Sequence, residues 1–597
     1  MSFKYFLTSL LVFVVTTVRL PAAAPGVTES AILEIQQLAQ SGAPRLALYS
    51  LGQQQPDLTK DPVGWMQWEK VRVDVFRESR DWQGMATRLA ALPPDLPVGF
   101  QRWARTEQAG ALIKLGRVSE ARTLLRELIW TVNLDEPEAG VQLRHWRRLI
   151  IDSYLAGKEL NDAYQASNWF IRDYGSNDLE DRLLRARIQL SDGYPDDALI
   201  LLKGDLKETQ AHTLYLLALL RSGQRPPRDI VKAGLRKLQE KGLTDQQKTI
   251  LWAVVAEAAQ RGKDRGTNAM ALERVIAASD TSPLPGGLFK LDADSLWVSY
   301  LEYARYLGNR AHYLIGQDGP WFEAAKKAGK KYPVRARSLY ATLVLNGASE
   351  ASRNEAATAF IASSHKLPQG NTLLRELFLK SDQYQDYASI PLTARYVLVD
   401  IALADSDITL ASQLMATIQT PPEGIDRYHW ELRRARVFVL GGDSLRGVAA
   451  LQTILKTHPS LDRSQLDQFL QVVFDLQTVG ANKDATHLFI AVMQRTDDVQ
   501  LKRELYYWMA ESAKAEKAYA EAARLYLKSA MYPDPKAMGP WSQTAHYQAA
   551  EALAEAGMVA DARQLFEALL RVTTDPGRRA VINHALQKLW LQKPQPG

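Results

Sequence analysis

The 597-residue sequence contains no cysteine. This absence excludes disulfides, thiol nucleophiles, iron–sulfur clusters and every zinc site that depends on cysteine. A chain without thiols is suited to an oxidising compartment outside the cytosol, where free thiols form disulfides. Beyond the N-terminal segment, the sequence also lacks any run of 18 consecutive apolar residues. It therefore predicts no membrane-spanning helix in the body of the protein.

The sequence also lacks the short motifs of common catalytic sites. It contains no Gly-rich phosphate loop ending in Lys-Ser or Lys-Thr, no HExxH zinc motif and no GxSxG nucleophile elbow. Its nine histidines are scattered, and no two are placed at the spacing of metal ligands. These absences predict a protein that is not an enzyme and that carries no cofactor or metal. Paired carboxylates meet in space rather than in sequence, so a glycan-cleaving enzyme remains an alternative.

Positive charge is only slightly in excess and is not concentrated. The 73 basic and 67 acidic side chains give a net charge of +6. Nucleic-acid binding usually requires a single basic face, so this distribution predicts no nucleic-acid partner. The basic clusters are expected on solvated outer helix faces. A weaker alternative is that they contact anionic glycans or lipid headgroups. They comprise Arg144, Arg147 and Arg148 beside Trp146; Lys326, Lys327, Lys330 and Lys331; and Arg433, Arg434 and Arg436.

The N-terminus has the layout of a secretory signal peptide. Lys4 precedes an apolar run from Tyr5 to Val18, and small residues follow at Ala22–Ala24. We therefore predict a signal peptide at residues 1–24 and a periplasmic location. Arg19 and Pro25 fit this pattern poorly, so an uncleaved N-terminal anchor is the alternative, and it would be the protein's only contact with a membrane.

The remainder of the chain predicts helices. It is rich in Ala, Leu, Arg, Glu and Gln, and its apolar residues recur at steps of three and four. The alternation typical of strands is scarce, and Pro and Gly fall mainly between the periodic segments. An all-α fold follows.

A repeat of 37 to 40 residues is present near the C-terminus. Each copy has a turn residue, a small residue five positions later and a large apolar residue four positions after that. A small or apolar residue lies seven positions before each turn, at Ala435, Val473, Ala510 and Ala550. The copies are Gly442, Gly447 and Leu451; Gly480, Ala485 and Phe489; Lys517, Ala522 and Tyr526; and Gly557, Ala562 and Phe566.

These offsets resemble those of the tetratricopeptide repeat (TPR) family over roughly residues 428–579. The resemblance implies an α-solenoid of antiparallel helical hairpins, in which small residues let paired helices approach. The chain departs from the family pattern in its longer period, in Lys517 at a turn and in Gly447 where alanine is usual. Weaker copies start from Gly116 and Gly193, whereas Ala163 is one position out of register when counted from Gly157.

The composition and the repeat pattern together predict five segments along the chain. They are the signal peptide or anchor at 1–24, an N-terminal helical region at 25–99, degenerate TPR-like repeats at 100–278, an irregular helical-hairpin region at 279–427 and C-terminal TPR-like repeats at 428–597. No repeat register can be assigned within 279–427, and a junction between two arrays is allowed near 279–293 or 366–392.

The family resemblance also implies a binding groove lined by the first helix of each hairpin. Two apolar inward positions, Leu432 and Leu470, belong to this expected lining. The proposed partner-binding residues are His429, Arg436, Phe474, Gln477, Glu504, Tyr507, Glu511, Lys514, Tyr547, Glu551 and Glu555. This groove would run from mildly basic to acidic, with an aromatic track suited to an extended peptide or a partner helix.

The resemblance leads to the expectation of a non-enzymatic, exported bacterial scaffold that brings other envelope proteins or peptides together. An alternative is an enzyme or enzyme accessory acting on an envelope glycan, such as peptidoglycan or an exported polysaccharide. A third is an anchored cytoplasmic adaptor, against which Lys4 argues through the positive-inside rule.

Overall fold

The computed structural model describes residues 27–175, 178–422, 424–536 and 538–591, and the side chains from residue 31 onward. Within these residues the chain forms α-helices and one short 3₁₀ helix, with no strand, which confirms the all-α prediction. The predicted signal peptide at 1–24 lies outside the described residues. None of the described helices is both long and apolar enough to cross a membrane.

The chain divides into two compact units. The first unit holds the chain up to Ala271 together with the segment Thr281–Leu291. The second unit holds Leu272–Asp280 and the chain from Asp292 onward. The last helix of the first unit, α14, therefore continues from one unit into the other.

The first unit consists of helices that pack in consecutive antiparallel pairs. Each odd-numbered helix is the first of a pair and each even-numbered helix the second. Their bounds are α1 (Val27–Gln40), α2 (Pro44–Gln54), α3 (Pro62–Glu78), α4 (Trp82–Ala90), α5 (Val98–Lys114), α6 (Val118–Thr131), α7 (Ala139–Ala156), α8 (Leu160–Tyr174), α9 (Leu179–Ser191), α10 (Pro195–Leu202), α11 (Thr209–Arg221), α12 (Pro227–Lys237), α13 (Asp245–Arg261) and α14 (Arg265–Ala277).

The second unit continues with helical hairpins after an irregular beginning. Its later hairpins pair α20 with α21, α22 with α23, α24 with α25, α26 with α27 and α28 with α29. The bounds are α15 (Ala293–Ala311), α16 (Asp318–Ala328), α17 (Pro333–Asn346), α18 (Glu350–Ser364), α19 (Gly370–Leu379), a 3₁₀ turn (Tyr387–Ser389), α20 (Leu392–Ala404), α21 (Ile408–Ala416), α22 (Arg427–Leu440), α23 (Ser444–Thr457), α24 (Arg463–Thr478), α25 (Asn482–Met493), α26 (Val499–Ala515), α27 (Tyr519–Met531), α28 (Pro540–Glu555), α29 (Val559–Val572) and α30 (Pro576–Leu591).

Left-handed turn residues set the register of the C-terminal hairpins. Gly442, Gly480, Lys517 and Gly557 have φ of 85°, 83°, 61° and 80°. This conformation ends a helix by satisfying its last carbonyls, and glycine adopts it without steric cost. The small residues five positions later are buried against the first helix, and the large ones fill the core. The predicted turn register of these four copies is confirmed.

The structure corrects one register and adds another. The left-handed residue between α7 and α8 is Lys158 (φ 60°) rather than Gly157, so Ala163 lies five positions after the turn and is fully buried. The expectation that Ala163 is out of register is therefore wrong. Ser406 (φ 61°) begins a further copy with Ala411 buried behind it. This copy lies in the region where the sequence allowed no register.

The core of the C-terminal hairpins is continuous from α22 to α28. It contains the fully buried rings of Phe469, Phe489 and Tyr526, each packed between successive helices. Because one apolar core links consecutive hairpins, each first helix is held in a fixed relation to the next. The side chains on the other faces of these first helices are thereby positioned along one surface.

Candidate interaction surface on the C-terminal hairpins

The predicted partner-binding residues lie on four first helices of the second unit. We call them the first-helix surface: His429 and Arg436 on α22, Phe474 and Gln477 on α24, Glu504, Tyr507, Glu511 and Lys514 on α26, and Tyr547, Glu551 and Glu555 on α28. His429, Arg436 and Glu555 are exposed, and the other eight are half-buried. Leu432 and Leu470 are buried in the core and do not line this surface, contrary to expectation.

The aromatic residues of this surface pack on buried rings of their own hairpins. Tyr507 lies with its ring centroid 5.2 Å from that of Tyr526, and Tyr547 lies 5.4 Å from Phe566. Phe474 contacts Phe489 in the same way at 5.6 Å. Each first-helix ring is therefore fixed from behind by the second helix, and it remains half-buried on the surface. Rigid aromatic groups lose little entropy on binding and are common interface anchors.

Carboxylates accept hydrogen bonds from tyrosines beside these rings. The Tyr526 hydroxyl donates to Glu511 Oε1 at 2.5 Å, and the Tyr547 hydroxyl donates to Glu551 Oε1 at 3.0 Å. Burial, followed by these carboxylates, raises the pKa of Tyr507, Tyr526 and Tyr547 well above the ordinary tyrosine value. The hydroxyls are thus protonated donors at neutral pH, and each lies beside a carboxylate.

Two predicted binding residues instead connect neighbouring first helices. Gln477 Nε2 donates to the carbonyl of Trp508 at 2.9 Å and to Ser512 Oγ at 2.7 Å. Lys514 Nζ donates to Gln548 Oε1 at 2.9 Å. These bonds join α24 to α26 and α26 to α28, so they fix the spacing of the first helices. A partner would have to share these donors or leave them in place.

The basic end of the surface is neutralised within the protein. Arg436 Nε lies 2.8 Å from Asp475 Oδ2 on the next first helix. Burial raises the pKa of Asp475, whereas Arg436 opposes this rise. His429 contacts Asp426, the N-cap residue of α22, with 2.7 Å between Nδ1 and Oδ2. The charge that the surface presents outward is therefore mostly negative, carried by the glutamates of α26 and α28.

The basic cluster on α7 is paired with acids in the same manner. Arg144 and Arg148 both form ion pairs with Asp181, and Arg147 lies 2.5 Å from Asp173. The ring of Trp146 is buried rather than exposed for stacking. These half-buried arginines connect α7 to α8 and α9, whereas the sequence predicts them on solvated outer helix faces.

Sequence reasoning missed two rings that complete the surface. Trp508 lies 4.9 Å from Phe474, and Trp541 lies 5.3 Å from Tyr507, centroid to centroid. Trp508 immediately follows Tyr507, so helical phase alone places it away from the groove. Trp541 starts α28 after a loop, and the repeat offsets begin too late to include it. No sequence signal would have found either contact.

The described residues contain no group of three or more His, Asp or Glu side chains that could hold a metal ion. The surface instead combines half-buried aromatic rings, tyrosine hydroxyls and carboxylates on consecutive helices. Such groups can bind the side chains and backbone of a polypeptide, with preference for apolar and positively charged residues.

Comparisons with known proteins return distant structural likenesses. No protein-family model matches the chain, and no curated protein matches it. A structure of the pentatricopeptide repeat protein PPR10 in complex with an 18-nt psaJ RNA element is 14% identical, covering 96% of this chain and 91% of that chain, with a TM-score of 0.29. Yeast Tom70 is 11% identical over 82% of this chain and 96% of its own, with a TM-score of 0.21.

A structure of Naa15/Naa10 bound to HypK is 12% identical over 94% of this chain and 100% of that chain, with a TM-score of 0.18. TM-scores at this level carry no argument about this chain. Its description as TPR-like helical hairpins depends on its own turn residues, helix pairs and buried small residues.

Proposed function

We propose that this protein is a non-catalytic scaffold that binds a polypeptide partner on the first-helix surface. The observation that carries this proposal is the placement of Tyr507 and Tyr547 on consecutive first helices, each fixed by a ring behind it and accompanied by Glu511 or Glu551. Rigid aromatic anchors next to negative charge suit a segment with apolar and basic side chains.

A polypeptide is favoured over a nucleic acid by the charge of this surface. Its outward groups on α26 and α28 are mainly carboxylates, which would repel phosphates. The arginines that could have formed a basic face, Arg144, Arg147 and Arg148, are engaged in ion pairs. The partner is therefore proposed to be a protein or peptide.

We further propose that the protein is exported and acts among envelope proteins of the periplasm. The support is the signal-peptide pattern of residues 1–24 and the absence of cysteine. N-terminal sequencing of the mature protein tests cleavage near Ala24, and fractionation tests the compartment. An intact N-terminus in a cytoplasmic fraction would refute this part of the proposal.

Charge reversal on the surface provides the functional test. Glu504→Lys combined with Glu555→Lys should release partners crosslinked in native envelopes, because both side chains are solvent-accessible and neither supports the core. The matched control is Tyr519→Ala, which alters a partly exposed side chain on the second helix α27. The same partners captured by all three proteins would refute the surface. Turnover of peptidoglycan fragments by the purified protein would favour the alternative enzyme instead.

A further inference from the structure

An irregular segment with a turn at residues 286–288 lies against four first helices of the first unit. This strap, residues 281–291 with the sequence TSPLPGGLFKL, belongs to the first unit, although the residues before and after it belong to the second. It forms no helix or strand. Beside it is a cavity of about 530 Å³ that is lined by α7, α9, α11 and α13 and by Pro285 and Leu288 of the strap.

The first unit holds the strap through its backbone carbonyls. Gln246 Nε2 donates to the carbonyl of Pro283 at 2.8 Å, and Arg221 Nη2 donates to that of Leu288 at 2.7 Å. Arg80 Nη2 donates to the carbonyl of Thr281 at 3.1 Å. Carbonyl oxygens are present in every peptide, so these donors can hold a chain of varied sequence.

Side-chain contacts fix the position of the strap along the groove. Leu288 is 2% exposed, and Phe289 lies with its ring 5.8 Å from the Arg221 guanidinium. At Gly287, with φ of 78°, a side chain would approach Leu160 to 3.3 Å. A buried leucine beside a closely packed backbone is the arrangement of a bound peptide with one apolar anchor.

Two half-buried ionisable side chains line the cavity. They are Asp152 on α7 and Arg187 on α9, and Arg187 Nε has no hydrogen-bond partner among the residues that the structure describes. By contrast, Arg148 in the same wall pairs with Asp181 at 2.9 Å. Burial raises the pKa of Asp152 and lowers that of Arg187, and the attraction between them only partly offsets each shift. Buried groups of this kind are usually satisfied by a partner.

We propose that this groove is a second peptide-binding site, that the strap occupies part of it in cis, and that a proline-containing partner segment with a similar turn exchanges with the strap. The incoming segment places its leucine-like anchor where Leu288 lies and a polar, uncharged side chain between Asp152 and Arg187. An amide side chain offers a donor to the carboxylate and an acceptor to the guanidinium. The cavity volume is in the range of sites that bind ligands of this size.

The strap peptide itself is the probe for this exchange. A fluorescein-labelled TSPLPGGLFKL peptide should bind the wild-type chain weakly, because the strap competes at high effective concentration. The Leu288→Ala variant loosens the strap and should bind the peptide at least tenfold more tightly by fluorescence anisotropy. Adding Gln246→Ala to that variant should weaken binding, because it removes a backbone donor, and a scrambled peptide should not bind.

Hydrogen exchange shows whether the Leu288→Ala variant is still folded. Hydrogen exchange on α7, α9 and α11 should stay protected in Leu288→Ala. If these helices lose protection, or if the folded variant fails to bind the peptide, the strap is a structural part of the first unit and the proposal is refuted.

A peptide array tests the roles of Asp152 and Arg187. Among strap peptides with a glutamine introduced at each position in turn, at least one should bind Leu288→Ala more tightly than the parent peptide. That gain should disappear when Asp152→Ala is added. A gain that persists in this variant, or no gain at any position, would overturn the assignment of these two side chains to a ligand. Glu504→Lys with Glu555→Lys should leave strap-peptide binding unchanged. The proposal for this site and the proposal for the first-helix surface can therefore be refuted separately.

Discussion

Substituting glutamine for Glu273 should destabilise the beginning of the second unit. The carboxylate of Glu273 on α14 pairs with Arg337 on α17, with 2.7 Å from Arg337 Nε to Oε1 and 2.5 Å from Nη2 to Oε2. Tyr300 on α15 donates to the same Oε1 at 2.8 Å. The side chains of Glu273 and Arg337 are only 1% and 3% exposed. Glutamine keeps the shape and leaves the buried guanidinium without a counter-charge.

The expected cost follows from this burial. Removing one partner of a buried ion pair costs about 3–5 kcal/mol, because the remaining charge is uncompensated in a region of low polarity. Burial alone would lower the pKa of Arg337, whereas its bonds to Glu273 raise it overall, which shows how strongly the guanidinium depends on this carboxylate. Replacing Glu273 and Arg337 by methionine and Tyr300 by phenylalanine removes the three central polar groups together and leaves only the part-buried Ser363 Oγ, to which Arg337 Nη1 donates at 3.2 Å. It should restore most of the lost stability.

Hydrogen exchange followed by mass spectrometry measures this effect locally, which matters because a chain of two units need not unfold in one step. Amides of α15 and α17 should exchange about 100- to 4,000-fold faster in Glu273→Gln, since each 1.4 kcal/mol is tenfold. The control is Glu521→Gln, the same change in an exposed pair with Arg524, which should cost less than about 1 kcal/mol. Less than a tenfold change at Glu273, or a triple variant as unstable as the single one, would refute the reasoning.

Three further predictions concern the C-terminal hairpins and are measured by urea denaturation of the full chain. Gly447→Ala should lower the free energy of unfolding by about 1 kcal/mol, although alanine is usual at this repeat position. The alanine Cβ would lie 2.5 Å from Val439 Cγ2, and this packing cost exceeds the gain in helix propensity. A higher urea midpoint would contradict this prediction. Lys517→Gly should raise the free energy of unfolding by up to about 1 kcal/mol, since Lys517 has a left-handed φ of 61° that glycine adopts without steric cost. An unchanged or lower urea midpoint would count against this prediction. Burial raises the folded-state pKa of Asp475 above its unfolded value, so the contribution of Asp475 to stability is most favourable at low pH and is lost as pH rises through the folded pKa. Asp475→Asn should remove this pH dependence of the urea midpoint. The same pH dependence in the variant would show that other groups cause it.

The repeat register could be read from the sequence only where the turn was marked. Glycine at 442, 480 and 557 gives the spacing, and this spacing places the turn at Lys517 as well. At Lys158 and Ser406 the same left-handed conformation is adopted by ordinary residues, at a cost of only about 1–2 kcal/mol. Packing of the flanking helices offsets so small a cost, so the turn leaves no sequence signal.

The candidate surface was predictable in outline and not in detail. Helical phase places Tyr507, Glu511 and Glu551 on first helices, as the structure shows. It could not reveal that Leu470 is buried or that Gln477 bonds across to α26, because both depend on how the next hairpin packs. The partner-binding role of these residues stays a prediction.

The strap was recognisable in the sequence only as a Pro- and Gly-rich loop. Its contact with Arg80 joins residues 201 positions apart, and no local pattern encodes such a contact. The first unit thus includes a segment that follows its own last hairpin in the sequence. Only the tertiary packing reveals this contact.

This connectivity also sets an order of events while the chain is being made. The helices that form the groove are all synthesised by Ala271, whereas the strap is complete only at Leu291. A chain that emerges N-terminus first can therefore assemble its groove before its own strap follows. Until the strap arrives, a partner peptide meets no internal competitor for the groove.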